Sequence, residues 1–322
     1  MSPRSREAPE ELRIVSLLPS ATEIVCALGL RGSLVGISHD CDWPPGIAEE
    51  KPALSATVVP TDLPSREIDR RVREQAHQGR SVYHLDAGRL AQLRPDLILT
   101  QELCAVCAPS FTEVQRAAKI LDAAPKIVSL EPHTLGGILE NILLVGELTR
   151  RQEKAQVLVE SLRSRIERVR TRTQGISKPP RVLAIEWLDP PFLAGHWVPE
   201  MLQIAGAVPP NAPGDHSTTI SWEEIAAFDP EAIILMPCGF SPERTLKELP
   251  LLVENPSWRA LRAVRQERVA LVHGSYYFNR PGPRVVDGLE LLAWWLHPER
   301  FIDLEPPSDG LITWKEALHR IT

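Results

Sequence analysis

Short apolar runs separated by longer mixed stretches make up most of the chain. Ile14–Leu18, Leu34–Ile37, Leu97–Thr100 and Ile127–Leu130 are brief and nearly continuous in apolar character. Strands of a parallel sheet covered on both faces read this way. Thr22–Leu28, the highly charged Arg66–Gln78, Ala87–Leu93 and Ser110–Leu121 fall between them and read as helices. A second series predicts strands at Val182–Trp187, Ala232–Met236 and Arg268–Val272, closed by a helix over Val285–Leu296. Beyond Pro298, the Pro306-Pro307 pair and the amphipathic Thr313–Ile321 are expected to pack on the surface.

Two phrases are written twice, in the same order. Arg13–Glu23 leads into a helix ending at Ala27-Leu28-Gly29, and Arg181–Trp187 leads through a loop to a helix ending at Ile204-Ala205-Gly206. Leu93-Arg94-Pro95-Asp96-Leu97-Ile98 is matched by Phe228-Asp229-Pro230-Glu231-Ala232-Ile233. Each of the latter pair is a helix end, a Pro-acid turn and a buried strand. A repeated order of this kind predicts two similar α/β lobes with a cleft between them. Between the two series, Leu135–Leu148 forms one helix, and a second runs from Gln152 to about Thr173. Leu158, Leu162, Ile166 and Val169 recur on one helical face, with Arg163, Arg165, Glu167, Arg168 and Arg170 opposite. Gly175 and Pro179-Pro180 end it. The expected layout is a polar tail (1–12), a first lobe (13–130), linking helices including a long spine (131–178), a second lobe (179–297) and a C-terminal tail (298–322).

The chain's 322 residues suffice for two cores. A net charge of -6 without a basic run gives no nucleic-acid surface. No stretch approaches the roughly 20 apolar residues of a membrane span. The polar start lacks the apolar core of a secretory signal, so the chain as given is expected to be cytoplasmic, or periplasmic or extracellular if a leader has been removed. It is expected to be a monomer. Five cysteines, an odd number in a large chain, argue against a disulfide scaffold. No G-x-S-x-G elbow or phosphate-cradling glycine loop is present. Asp40, Asp42, Glu102 and Glu186 have no paired spacing that would define an acid–base dyad.

Open parallel sheets bind ligands beyond the carboxyl ends of their strands. The loops there hold Trp43, Phe192, Trp197, Tyr276, Tyr277 and Phe278, in a chain with only 5% aromatics. Flat apolar faces with a few polar anchors suit a bulky planar ligand, although some of these rings could equally fill a lobe interface.

Leu18-Pro19-Ser20-Ala21-Thr22-Glu23, Asp42-Trp43-Pro44-Pro45, Asp189-Pro190-Pro191-Phe192 and the Tyr277–Arg284 ending resemble cobalamin-binding proteins of the helical-backbone (cluster A, class III) substrate-binding family. The resemblance covers residues 13 to about 296. It implies two Rossmann-like lobes with parallel sheets joined by one long backbone helix. It also implies non-enzymatic binding of a corrinoid such as cobalamin in the cleft, for ABC-type uptake or intracellular handling. The family also serves siderophores and haem. Carried over by position, it implicates Ser20, Ala21, Trp43, Phe192, Tyr277, Phe278 and Arg280 in ligand binding, with Trp197 among the aromatics nearby. Glu223 matches one of two glutamates that dock such proteins on an ABC permease. Gly88 stands where the other would be, and Asp62–Leu85 is additional to the pattern.

A second chemistry lies in the thiols. His39-x-Cys41 follows the second strand and Cys104-x-x-Cys107 the third. Three thiolates and an imidazole could hold zinc or an iron–sulfur cluster. A redox dithiol, contact with a bound cobalt, and plain buried thiols are the other readings. His196, His216 and His273 read as loop and surface histidines.

Overall fold

The computed structural model describes residues 12–101, 114, 117 and 124–321. Cys104, Cys107 and most of the expected helix Ser110–Leu121 lie outside the described residues. The described residues divide into two compact units: those within 12–58, 75–131 and 145–152 form the first, and those within 59–74, 132–144 and 153–321 the second.

The first unit is built on a four-stranded parallel sheet. Its strands are β1 (Ile14–Ser16), β2 (Leu34–Ile37), β5 (Leu97–Thr100) and β6 (Lys126–Ser129), in the order β2-β1-β5-β6. Val15 registers with Ile98, and Ile98 with Ile127. β1 and β5 are central and wholly buried, which explains their continuous apolar runs. Val15, Leu17, Leu54, Leu85, Leu90, Ile98 and Val114 form one core cluster. The antiparallel pair β3 (Ser55–Thr57) and β4 (Tyr83–Leu85) stands outside the main sheet. Its three-residue strands are too short to announce themselves by alternation.

The second unit carries a six-stranded sheet, β12-β11-β10-β7-β8-β9. β7 (Val182–Leu188), β10 (Ala232–Leu235) and β11 (Val269–Val272) are the parallel centre. β8 (Pro191–Leu193), β9 (Thr218–Thr219) and β12 (Leu311–Thr313) add antiparallel edges. The C-terminal tail is therefore not a surface appendage. β12 completes the sheet, and Ile312, Trp314 and Ala317 are buried in its core.

The duplicated phrases fold into the same local device. In the first unit the Arg13 backbone N–H donates to Asp96 Oδ2 (2.8 Å) and Arg13 Nε to Leu93 O (2.9 Å). In the second, the Arg181 N–H donates to Glu231 Oε2 (3.0 Å) and Arg181 Nε to Phe228 O (2.9 Å). Both helices end in a left-handed residue, Arg94 (φ 42°) and Asp229 (φ 49°). Helix end, turn and strand are thus tied to the start of the neighbouring strand in the same way twice.

The helix Gln152–Thr173 has the expected length, roughly 33 Å at 1.5 Å per residue. Its buried stripe is Ala155, Val159, Leu162, Ile166, Val169 and Thr173, with Leu158 only half-buried. Its polar side is not all solvent-facing. Arg165 pairs with Asp287 (2.5 Å) and Glu290 (2.6 Å), and Arg168 with Glu290 (2.7 Å), on the helix Val285–Leu296.

Candidate functional site

The strand ends of the first unit hold a pinned imidazole. His39 Nδ1 lies 2.8 Å from Ser55 Oγ, which also accepts the His39 backbone N–H (3.2 Å) and donates to Ser38 Oγ (3.1 Å). The ring sits 5.4 Å from that of Tyr83. Nε2 is buried without a hydrogen bond, 3.5 Å from Asp40 Oδ2. Cys41 is buried, its Sγ 3.1 Å from Thr22 Oγ1. His39 and Cys41 are thus oriented by different partners. Among the described residues, no three His, Cys, Asp or Glu side chains stand together to hold a metal ion. Ser20 and Ala21 are buried at the start of the helix Pro19–Ala27, and Trp43 is half-buried.

The strand ends of the second unit gather more chemistry. Gly195 lies against the backbone of residues 215–217; a Cβ there would stand 2.5 Å from Ser217 N and 2.6 Å from His216 C. This close approach brings His196 and His216 together, and a third imidazole, His133, stands beside both. The ring of His196 is 5.3 Å from His216 and 5.6 Å from His133, which is itself 5.6 Å from His216. His196 adopts φ 55° and is clamped by its N–H to Asp215 O (2.6 Å) and its carbonyl to Gly214 N (2.8 Å). Burial, and then the neighbouring His133 and His216, hold its pKa below the usual histidine value. The sequence reading of His196 and His216 as separate loop histidines missed this grouping, because it depends on a glycine that lets distant loops touch. Glu186, near the end of β7, accepts hydrogen bonds from Ser217 and the Gly195 N–H. Burial nevertheless pushes its carboxyl up to about 7.

The aromatics divide between surface and core. Phe192 and Arg280 are half-buried. Trp197 is buried and donates Nε1–H to Phe278 O (2.7 Å), while Phe278 is fully buried. Tyr277 is buried with its hydroxyl donating to Asp309 (2.9 Å); burial and this bond push its pKa up. Tyr276 stacks on His273 at 3.8 Å, with the Arg284 guanidinium 4.3 Å from its ring centre. Trp187 and Phe240, 5.3 Å apart, form a further aromatic pair that the strand-end reading did not single out. Glu223 is exposed in the first turn of the helix Trp222–Phe228, which Ser221 and Glu224 close with a capping box.

Two parallel-centred sheets with their polar and aromatic loops at the strand ends match one family along most of the chain, residues 14–276. The chain belongs to the periplasmic binding protein family. It is 25% identical over 294 residues to the vitamin B12-binding protein of Vibrio cholerae, covering 88% of each chain. The crystal structure of a vitamin B12-binding protein from Vibrio cholerae aligns with a TM-score of 0.61 at 23% identity, over 90% of this chain and 98% of that one. A periplasmic haem-binding protein from Pseudomonas aeruginosa aligns with a TM-score of 0.68 at 22% identity, over 94% and 97%. At these identities the two structures establish the shared fold. No helix among the described residues is long and apolar enough to cross a membrane.

Proposed function

We propose that this protein binds a corrinoid of the cobalamin type, as a binder and not as a catalyst, and delivers it to an ABC-type permease or an intracellular acceptor. The observation that carries this reading is the similarity to the vitamin B12-binding protein, which spans 88% of both chains. The strand-end loops support it chemically. In the second unit Phe192 is a half-buried ring able to cover an apolar macrocycle and Arg280 can donate to amide or phosphate acceptors on its periphery; in the first unit Trp43 is a half-buried ring of the same kind. Phe278 and Trp197 are buried and serve packing in the second unit.

Titration with cyanocobalamin, followed by the fluorescence of the eight tryptophans, tests the reading. The expected result is saturable quenching with a micromolar or tighter Kd, and weaker binding of haemin. Preference for haemin would assign the site to a haem-type ligand instead, the alternative raised by the haem-binding structural neighbour. No saturable change with either ligand would overturn tetrapyrrole binding altogether.

A further inference from the structure

Residues 59–74 are an excursion: the chain leaves the first unit at Val58, gives this stretch to the second unit and returns at Gln75. The excursion is fastened at Leu63–Arg66. Ser65 is fully buried between exposed Pro64 and Arg66. Its backbone N–H and hydroxyl both donate to Glu248 Oε2, at 3.1 and 2.8 Å. Its carbonyl accepts Nε1–H of Trp187 (3.2 Å). Leu63 O accepts from Arg244 Nη2 (2.6 Å), and Arg66 Nε donates to Asp189 Oδ2 (2.7 Å). Arg244 in turn holds Glu248 Oε1 (2.8 Å) and covers the Phe240 ring at 4.2 Å.

Every partner in this set stands at or after the carboxyl end of β7 or β10. In an open α/β sheet that is the ligand-binding edge. The chain's own segment therefore covers part of the surface where the second unit would take a ligand. The cover is polar. Ser65 is the only fully buried residue of the helix Ser65–His77, and its two large apolar residues, Ile68 and Val72, are only half-buried. Arg66 apart, its arginines pair within the helix: Arg70 and Arg71 with Glu67, and Arg73 with Asp69. Lifting Leu63–Arg66 alone costs a handful of hydrogen bonds, which water replaces, and the partial burial of one leucine.

We propose that Leu63–Arg66 is a lid on the strand-end face of the second unit, latched by Glu248, which opens for that face to take its ligand. The proposal rests on the reading that this face contacts the ligand. The test combines hydrogen exchange and binding, on the full-length protein and on Ser65→Ala, a variant that removes one latch bond without burying a new group. In the wild type, peptides covering residues 63–68 are expected to exchange at least tenfold faster than β10, at a rate insensitive to low denaturant, as local opening requires. Ser65→Ala is expected to speed that exchange about tenfold while β7 and β10 are unchanged. It is also expected to bind cyanocobalamin about tenfold more tightly, the loss of about 1.4 kcal/mol of competing latch energy. Exchange of residues 63–68 only together with β10 would overturn the lid and make the segment a fixed part of the fold. Equal or weaker binding by Ser65→Ala would overturn its competing role. If neither protein binds cyanocobalamin, the corrinoid reading falls and the exchange result alone decides the lid.

Discussion

Ser65 and Glu248, 183 residues apart, meet through two hydrogen bonds to a single carboxylate oxygen, both side chains buried. The other oxygen of Glu248 is taken by Arg244. Removing the carboxylate leaves a buried hydroxyl and a part-buried guanidinium without their partner. Breaking such a set from the charged side costs about 3–5 kcal/mol, against about 1 kcal/mol for losing one neutral donor. Glu248→Ala is therefore expected to lower the denaturation midpoint several-fold more than Ser65→Ala. A double variant should show non-additivity, measured by urea unfolding. Equal, additive losses would mean that the two residues do not act on each other.

Gly195 is needed for the loop contact that brings His196 to His216. A Cβ would meet the backbone of Asp215, His216 and Ser217, which cannot swing aside as a side-chain tip can. Gly195→Ala is expected to cost about 1–3 kcal/mol, with thermal unfolding as the measure. An unchanged melting temperature would show that the 215–217 loop yields freely.

Trp43 and Phe278 are expected to separate binding from stability. Phe278 is fully buried, so Phe278→Ala should lose about 3–5 kcal/mol of folding stability. Trp43 is half-buried, so Trp43→Ala should keep nearly the wild-type midpoint. It should also bind cyanocobalamin roughly ten- to a hundredfold more weakly, the loss of about 1.5–3 kcal/mol of aromatic burial. Wild-type affinity in Trp43→Ala would remove this ring from the ligand surface.

Glu186 and His196 are expected to pull the pH dependence of stability in opposite directions. Glu186 titrates near 7 in the fold against an ordinary 4.5. The folded chain therefore holds an extra proton between these values. Stability from this group is complete below pH 4.5 and is lost as pH rises through 7, by at most about 3 kcal/mol. His196 is held below its ordinary 6.5, so its contribution is present above pH 6.5 and is lost as pH falls through its folded value. Urea midpoints from pH 4.5 to 8.5 should show both limbs. Glu186→Gln should flatten the alkaline-side loss and His196→Asn the acid-side loss. Unchanged slopes in the two variants would place these titrations elsewhere.

The sequence by itself determined the two α/β units, their central strands and the 22-residue helix Gln152–Thr173. Each follows from a local signal: continuous apolar runs for β1, β5, β7 and β10, a repeated Pro-acid turn, and a helical stripe. The stripe was legible but misplaced by one residue at Leu158, because the buried positions recur as 155, 159, 162, 166, 169 and 173, which leaves 158 at the edge of that face. The edge strands β8, β9 and β12 were not legible, since two or three residues carry no periodicity, and the sheet alone makes strands of them. The chemistry depended still more on tertiary structure. Nothing in the spacing of His133, His196 and His216 says that they stand together; the backbone contact at Gly195 decides it for His196 and His216. Nothing local joins Ser65 to Glu248, or marks Glu186 as a carboxyl whose pKa burial raises. Apolar periodicity is written into neighbouring residues, because burial of a face is a local property of a helix or strand. Hydrogen bonds across long separations, and the desolvation that moves a pKa, exist only once distant loops have been folded against one another.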